Sequence, residues 1–442
     1  MNMVINPNSV DQAKLQNKLT ELKGSLLDSA KSTANPTAEA TQGGMPGIDL
    51  PSIADELFKR APLSFLQRTP TSRLIEVTRG CATFLARHLN SKAKITVEAH
   101  NPQTSADAHS ERVGVSVIQV AIADRSFVVD SLQEALRELD LRTEILLHPI
   151  FRLPANVVAS SELVSFAYFE IEYLEDEKKL QEVAAMFRHT LEDVLLVTEA
   201  FPTLKARLCE ITAGLAGPKS PMLEAERPEI ASLAEWLIDG GFVFLGAREW
   251  VGKSDSGSLT LLKDADLGIF CSPTPGYVEQ MLEIERDAKH LLQSQKHFVH
   301  FSKSLFVSSV HRRARLDLVI FRTPLSTPIS TPLSGAEYRI TLFAGLFTSR
   351  AIAEEASSVP MIRRKVARIL ELEEVPPNSH DYKEIVSIID GMPKFELFST
   401  PVDLLRHEIN LIMSMQRRAD CQVSIRHDGL KRFTLVLVVI PR

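Results

Sequence analysis

The stretch from Val113 to Phe151 limits the folds open to this chain more than any other. Val113 to Ile122 is an apolar run of strand length, and the polar turn Asp124-Arg125-Ser126 follows it. Val128, Leu132, Ala135, Leu136 and Leu139 then recur at helical spacing, which gives a helix with one apolar face. Thr143 to Ile150, rich in leucine and β-branched residues, reads as a second strand. Strand, acidic turn, amphipathic helix, strand is the opening of a small ligand-sensing α+β domain. It is not the opening of a phosphate-binding loop.

The rest of the chain extends that pattern. Val10, Leu15, Leu19, Leu22 and Leu26 mark an amphipathic helix near the N-terminus. Residues 31–50 are rich in Ala, Thr, Gly, Asn and Pro, a flexible-linker composition, so the helix is expected to be a detached arm. Residues 51–205 form the first domain. Leu74 to Leu89 is a helix, Ala93 to Ala99 an edge strand and Val164 to Leu174 a further strand. A stripe from Leu180 to Leu195 is the closing helix. This βαββα series suits a sheet with helices packed on one face. Residues 225–350 read as a mainly antiparallel β domain. Its strands run over 242–251, 259–262, 297–301, 305–310, 316–322 and 337–347, with one helix around Val278 to Leu292. Gly240-Gly241 ends the helix before the first of them. Thr323 to Ser334, with three prolines, is a loop. Residues 351–420 are helical. Residues 421–442 hold a hairpin with a turn at His427-Asp428-Gly429.

Composition excludes several functions. A net charge of −6 over 442 residues gives no electrostatic case for nucleic acid. No apolar run approaches the ~20 residues that cross a bilayer, so no membrane partner is expected. Cys81, Cys209, Cys271 and Cys421 are far apart, which points to reduced, mostly buried thiols and a cytoplasmic setting. No two glycines are spaced G-x-G, and no P-loop, G-x-S-x-G elbow or H-E-x-x-H helix is present. No catalytic residue, cofactor site or metal site is therefore expected in this chain.

Two places could hold a ligand. At the strand-to-helix turn Asp124, Arg125, Ser126 and Phe127, either a side chain caps the helix or free N–H groups take the carboxylate of an effector. The basic cluster His311, Arg312 and Arg313 could hold a carboxylate or phosphate. Arg363-Arg364-Lys365 with Arg368 reads as a solvated helix face. His297 and His300, three apart on a strand, would point to opposite faces and so not share a metal. His148 before Pro149 reads as a partly buried strand residue. An unfamiliar active site stays open only through convergence of His311, Arg312 and Asp317.

Several segments together resemble the amino-terminal part of the large bacterial NAD-dependent glutamate dehydrogenases. They are Asp124-Arg-Ser-Phe-Val-Val-Asp-Ser131, Leu147-His-Pro-Ile-Phe151, Trp236-Leu-Ile-Asp-Gly-Gly-Phe-Val-Phe-Leu-Gly246, Arg248-Glu249 and Ser309-Val-His-Arg312. Gly345-Leu-Phe-Thr-Ser349, Pro360-Met-Ile-Arg-Arg-Lys-Val366, Asn378-Ser-His-Asp381 and Glu396-Leu-Phe398 follow in family order. The resemblance implies an α+β fold: an ACT-like βαββα(β) domain, then a mostly antiparallel β domain with a helical C-terminal segment. It implies that the terminal hairpin begins an incomplete second ACT-like domain. It also implies a non-catalytic regulatory and oligomerisation region, with NAD and the oxidative deamination of L-glutamate to 2-oxoglutarate belonging to the full-length family. Implied partners are further copies, the catalytic region of the same enzyme and an amino-acid effector. The alternative is a free-standing module that senses amino acids or small anions and binds a protein. One departure stands out: such modules place glycine in the first strand–helix turn, and here the turn is Ser126-Phe127.

Overall fold

A computed structural model describes residues 7–32, 49–102, 114–152, 163–218, 220–272, 277–294, 297–325, 337–416, 421–427 and 434–439. The chain divides into two compact units, Met1–Val194 with Ser309–Arg312, and Leu195–Ser308 with Arg313–Arg442.

The first unit opens with four helices, α1 (Pro7–Ser32), α2 (Leu50–Phe58), α3 (Leu63–Arg68) and α4 (Thr71–Ser91). Strands β1 (Ile95–His100) and β2 (Val115–Ala123), helix α5 (Val128–Glu138), strands β3 (Thr143–Leu147), β4 (Ile150–Arg152) and β5 (Leu163–Glu172), and helix α6 (Glu177–Ala216) follow. The sheet order is β1-β2-β5-β3 with β4 beside β5, and every pairing is antiparallel. β2 and β3 thus run the same way with β5 between them, the split βαβ arrangement. β1 supplies the outer strand next to β2 from the N-terminal side. The single strand expected over 143–150 is broken by His148-Pro149, because proline has no N–H to give to a ladder. His148 is partly buried, as read, with Nε2 2.7 Å from Ser165 Oγ.

β2 and β5 are buried along almost their whole length, which explains their unbroken apolar sequence. Val117, Ala121, Val164, Phe166 and Tyr168 share a core with Leu22, Phe58 and Phe84 from α1, α2 and α4. Phe84 and Phe166 lie 5.7 Å apart, centroid to centroid. On the other face Phe169 meets Phe187 of α6 edge-on at 5.3 Å. Helices therefore cover both faces, not one. The reading of the N-terminal helix as a detached arm also fails: Leu19, Leu22 and Leu26 are all buried in this core. Lys18 Nζ donates to Thr71 Oγ1 at 3.0 Å, and Lys23 pairs with Asp55. The expected linker falls largely on residues 33–48, outside the described residues.

The second unit contains α7 (Arg227–Trp236), β6 (Phe242–Lys253), β7 (Leu259–Leu261), β8 (Leu267–Gly268), α8 (Tyr277–Gln293), β9 (Val299–Val307), β10 (Arg315–Pro324) and β11 (Glu337–Phe347). Its antiparallel sheet has the order β7-β6-β11-β10-β9, with β8 also on β6. The two strands expected over 297–310 are the one strand β9. A bulge between Ala344 and Gly345 brings Gly345 so close to Val243 that an added Cβ would lie 2.1 Å from its carbonyl oxygen, so glycine is required there. Gly240, at φ 94, turns the chain out of α7 as expected. Helices α9 (Ser349–Ala353), α10 (Ile362–Leu372), α11 (His380–Gly391), α12 (Lys394–Ser399) and α13 (Val402–Gln416) precede the hairpin β12 (Gln422–His427) and β13 (Thr434–Val439). Phe398 of α12 stacks on Phe301 at 4.2 Å and on Phe347 at 5.4 Å, tying the helical segment to the sheet. The expected proline loop lies mostly, and the hairpin turn almost wholly, outside the described residues. Of the cysteines only Cys81 is buried; Cys209, Cys271 and Cys421 are exposed, against expectation. No described helix is long and apolar enough to cross a membrane.

Candidate functional site

The strand-to-helix turn of the first unit is held from both ends. Asp124 N–H donates to Leu163 O at 2.7 Å, and Arg125 Nε donates to Ala123 O at 3.1 Å. No side chain caps α5, so the capping role read for Asp124 or Ser126 is not met. Phe127 occupies the N-cap position in the left-handed conformation, with φ 72. A non-glycine residue pays about 1–2 kcal/mol for that backbone. Glycine is absent here, yet the backbone conformation that glycine favours is kept.

The Phe127 ring is not idle. It lies 5.2 Å from the ring of His311, which itself has φ 70. His311 N–H donates to Ser131 Oγ at 2.8 Å, and its Nδ1 lies 3.3 Å from Asp130 Oδ2 without completing a hydrogen bond. Ser309 Oγ donates to Asp193 Oδ2 at 2.7 Å. Asp193 is 1% exposed, and its Oδ1 has no hydrogen-bond partner among the described residues. The structure thus joins two places that are 180 residues apart in sequence, the turn and the start of the basic cluster. Arg312 groups with this unit and Arg313 with the second one. Ser131, Asp193 and Ser309 were missed. A serine and an aspartate inside apolar helical stripes were the available signals, since a buried polar side chain needs a partner.

The second unit has a cavity of about 570 Å³ beside α10. His297 and His300 both line it, because β9 begins only at Val299 and the opposite-face argument does not apply. The basic stretch of α10 is not simply a solvated face. Arg363 Nε donates to Glu229 Oε1 at 2.9 Å, and Met361 N–H donates to Glu229 Oε2 at 2.6 Å. Lys365 Nζ donates to the carbonyls of Leu397, Phe398 and Thr400 at 2.7–2.8 Å. Burial pushes the Lys365 ammonium down to about 8. In the unfolded chain lysine titrates near 10.4. Between those values the unfolded chain holds a proton that the folded chain has released, so stability rises with pH across that window. Relative to Lys365→Met, the wild type should gain about 3 kcal/mol from pH 8 to 10.4. Urea melts at several pH values read this directly, and two parallel curves would refute it.

The split βαβ sheet, with its turn opening into α5, defines an ACT-type domain, and comparison with known proteins agrees. Residues 53–187 match the family described as glutamate dehydrogenase, ACT1 domain, and residues 359–418 match glutamate dehydrogenase, helical motif 1. The NAD-specific glutamate dehydrogenase of Pseudomonas aeruginosa is 27% identical over 412 residues, 88% of this chain and 24% of that protein. Those of Halomonas elongata and Mycobacterium tuberculosis are each 23% identical over 74% of this chain, covering 20% and 19% of their own lengths. The chain corresponds to the amino-terminal region of the NAD-specific glutamate dehydrogenase family. It spans a quarter or less of the length of these relatives.

Proposed function

We propose that this chain is the effector-sensing and assembly region of an NAD-dependent glutamate dehydrogenase, acting in the cytoplasm, with hydride transfer carried by another region of that enzyme. The observation that carries the reading is the ACT-type turn, kept in the glycine-like conformation and in contact with His311. In this reading Asp124, Arg125, Ser126 and Phe127 frame the effector, while His311 and Arg312 hold its acid group. The occupied state displaces the Phe127–His311 contact. An amino acid with a free carboxylate suits N–H groups at a helix start that no side chain caps.

Assembly has its own support. Val423, Ile425, Val436 and Val438 are 54–64% exposed on the terminal hairpin. Val423 faces Val438 across the ladder and Ile425 faces Val436, so they make one apolar surface. We read it as part of a second ACT-like sheet whose apolar face meets a partner surface. A two-stranded hairpin is marginal alone.

A thermal-shift screen of the purified chain against the amino acids tests the sensing role. An effector that binds the folded state raises the melting temperature by mass action. Phe127→Gly, which frees the turn without changing its backbone conformation, should enlarge the shift. No shift from any amino acid, in either protein, would end this reading.

A further inference from the structure

The first unit has a second concave site, away from the turn. A cavity of about 720 Å³ runs along the outer strand β1, between α4 and α6. That volume falls within the range of about 300–1,000 Å³ usual for small-molecule sites. Its floor holds Gln119, between Val117 and Ala121 on the core face of β2, where an apolar residue is the norm. Gln119 is 4% exposed and makes no side-chain hydrogen bond among the described residues. Its side chain lines the cavity, so the amide is open to a polar group of a ligand there. Arg87 and Arg188 stand on the two sides. Arg87 pairs with Glu98. Arg188 Nη2 reaches Val97 O at 3.4 Å, across the open edge of β1, and makes no ion pair among the described residues. A guanidinium placed there hinders the addition of another strand. Its remaining donors stay available to a ligand. Two guanidiniums against one carboxylate leave the cavity positive. His100 at the rim is held below the usual imidazole range by burial, with Arg73 and Arg87 reinforcing and Glu98 opposing, so it adds no charge at neutral pH.

We propose that this cavity binds a small organic anion, whose carboxylate or phosphate oxygens meet Arg188 and Arg87 while a polar group of the ligand pairs with the Gln119 amide. The site does not rest on the sensing role of the turn, because none of the turn residues lines it. Gly80 lines the α4 wall, where an added Cβ meets only Gln119 Nε2 at 3.8 Å, so a larger side chain can be built into the space without a backbone clash.

Calorimetric titration of the full chain tests this with two probes, succinate for a carboxylate source and AMP for a phosphate source. At least one should saturate below roughly 10 mM, an affinity ordinary for a small effector. Arg188→Ala should weaken it by about tenfold or more, as loss of a charged contact does. Gly80→Leu should block it by bulk, with no change of charge, and Phe127→Gly should leave it unchanged. Circular-dichroism melts confirm that each variant folds. The proposal is overturned if neither probe saturates, or if binding survives both Arg188→Ala and Gly80→Leu. Binding that is lost with Phe127→Gly but kept with Arg188→Ala would place the anion at the turn and also overturn it.

Discussion

Replacing Asp317 with alanine is expected to destabilise the second unit by about 3 kcal/mol. Asp317 is 4% exposed on β10. Its Oδ1 accepts from Lys303 Nζ at 2.7 Å, and its Oδ2 accepts from Phe347 N–H at 3.1 Å. Removing the carboxylate leaves a buried N–H and an ammonium without their acceptor, the costly way to break such a pair. Lys303 keeps a third of its side chain in solvent, which holds the loss near the lower end of the usual 3–5 kcal/mol. Asp317→Asn should cost less, because an amide oxygen can still accept from Phe347. A double-mutant cycle with Lys303→Met, followed by urea melts, separates the two partners. A loss well under about 1 kcal/mol would show that neither partner depends on this carboxylate.

Leu22→Ala should cost about 2–5 kcal/mol, the range for truncating a buried leucine. Leu22 is fully buried with Leu19 and Leu26 against Phe58 and Phe84. On a detached arm the same change would be neutral or slightly favourable, since alanine is the better helix former. Denaturant midpoints of the wild type and the variant decide between the two. Unchanged midpoints would return α1 to the status of an appendage.

The contrast between α1 and β2 shows what the sequence made legible. β2 and β5 are read correctly because β-branched and aromatic residues crowd both of their faces, and that signature is local. The stripe of α1 is also local, but a stripe states only that one face is apolar and never what it meets. Helices α2 and α3 were missed because they span 9 and 6 residues, too short for periodicity to build up. At the candidate site, the turn was identified from its place between strand and helix. Its contact with His311 was not, because nothing local links residues 180 positions apart. The basic run of α10 misled for a related reason. Lys365 carries its charge among backbone carbonyls of a neighbouring helix end, and composition cannot report such acceptors.

Homology and autonomy need not share a border. The family match opens at residue 53, inside α2 and past both the Asp49 cap and the whole of α1. A fragment trimmed to that border would forfeit the cap and leave Phe58, Leu66 and Phe84 under a wet opening where three leucines had lain. Anyone cutting this protein for crystallisation or titration should therefore start upstream of Leu15, whatever the evolutionary boundary suggests.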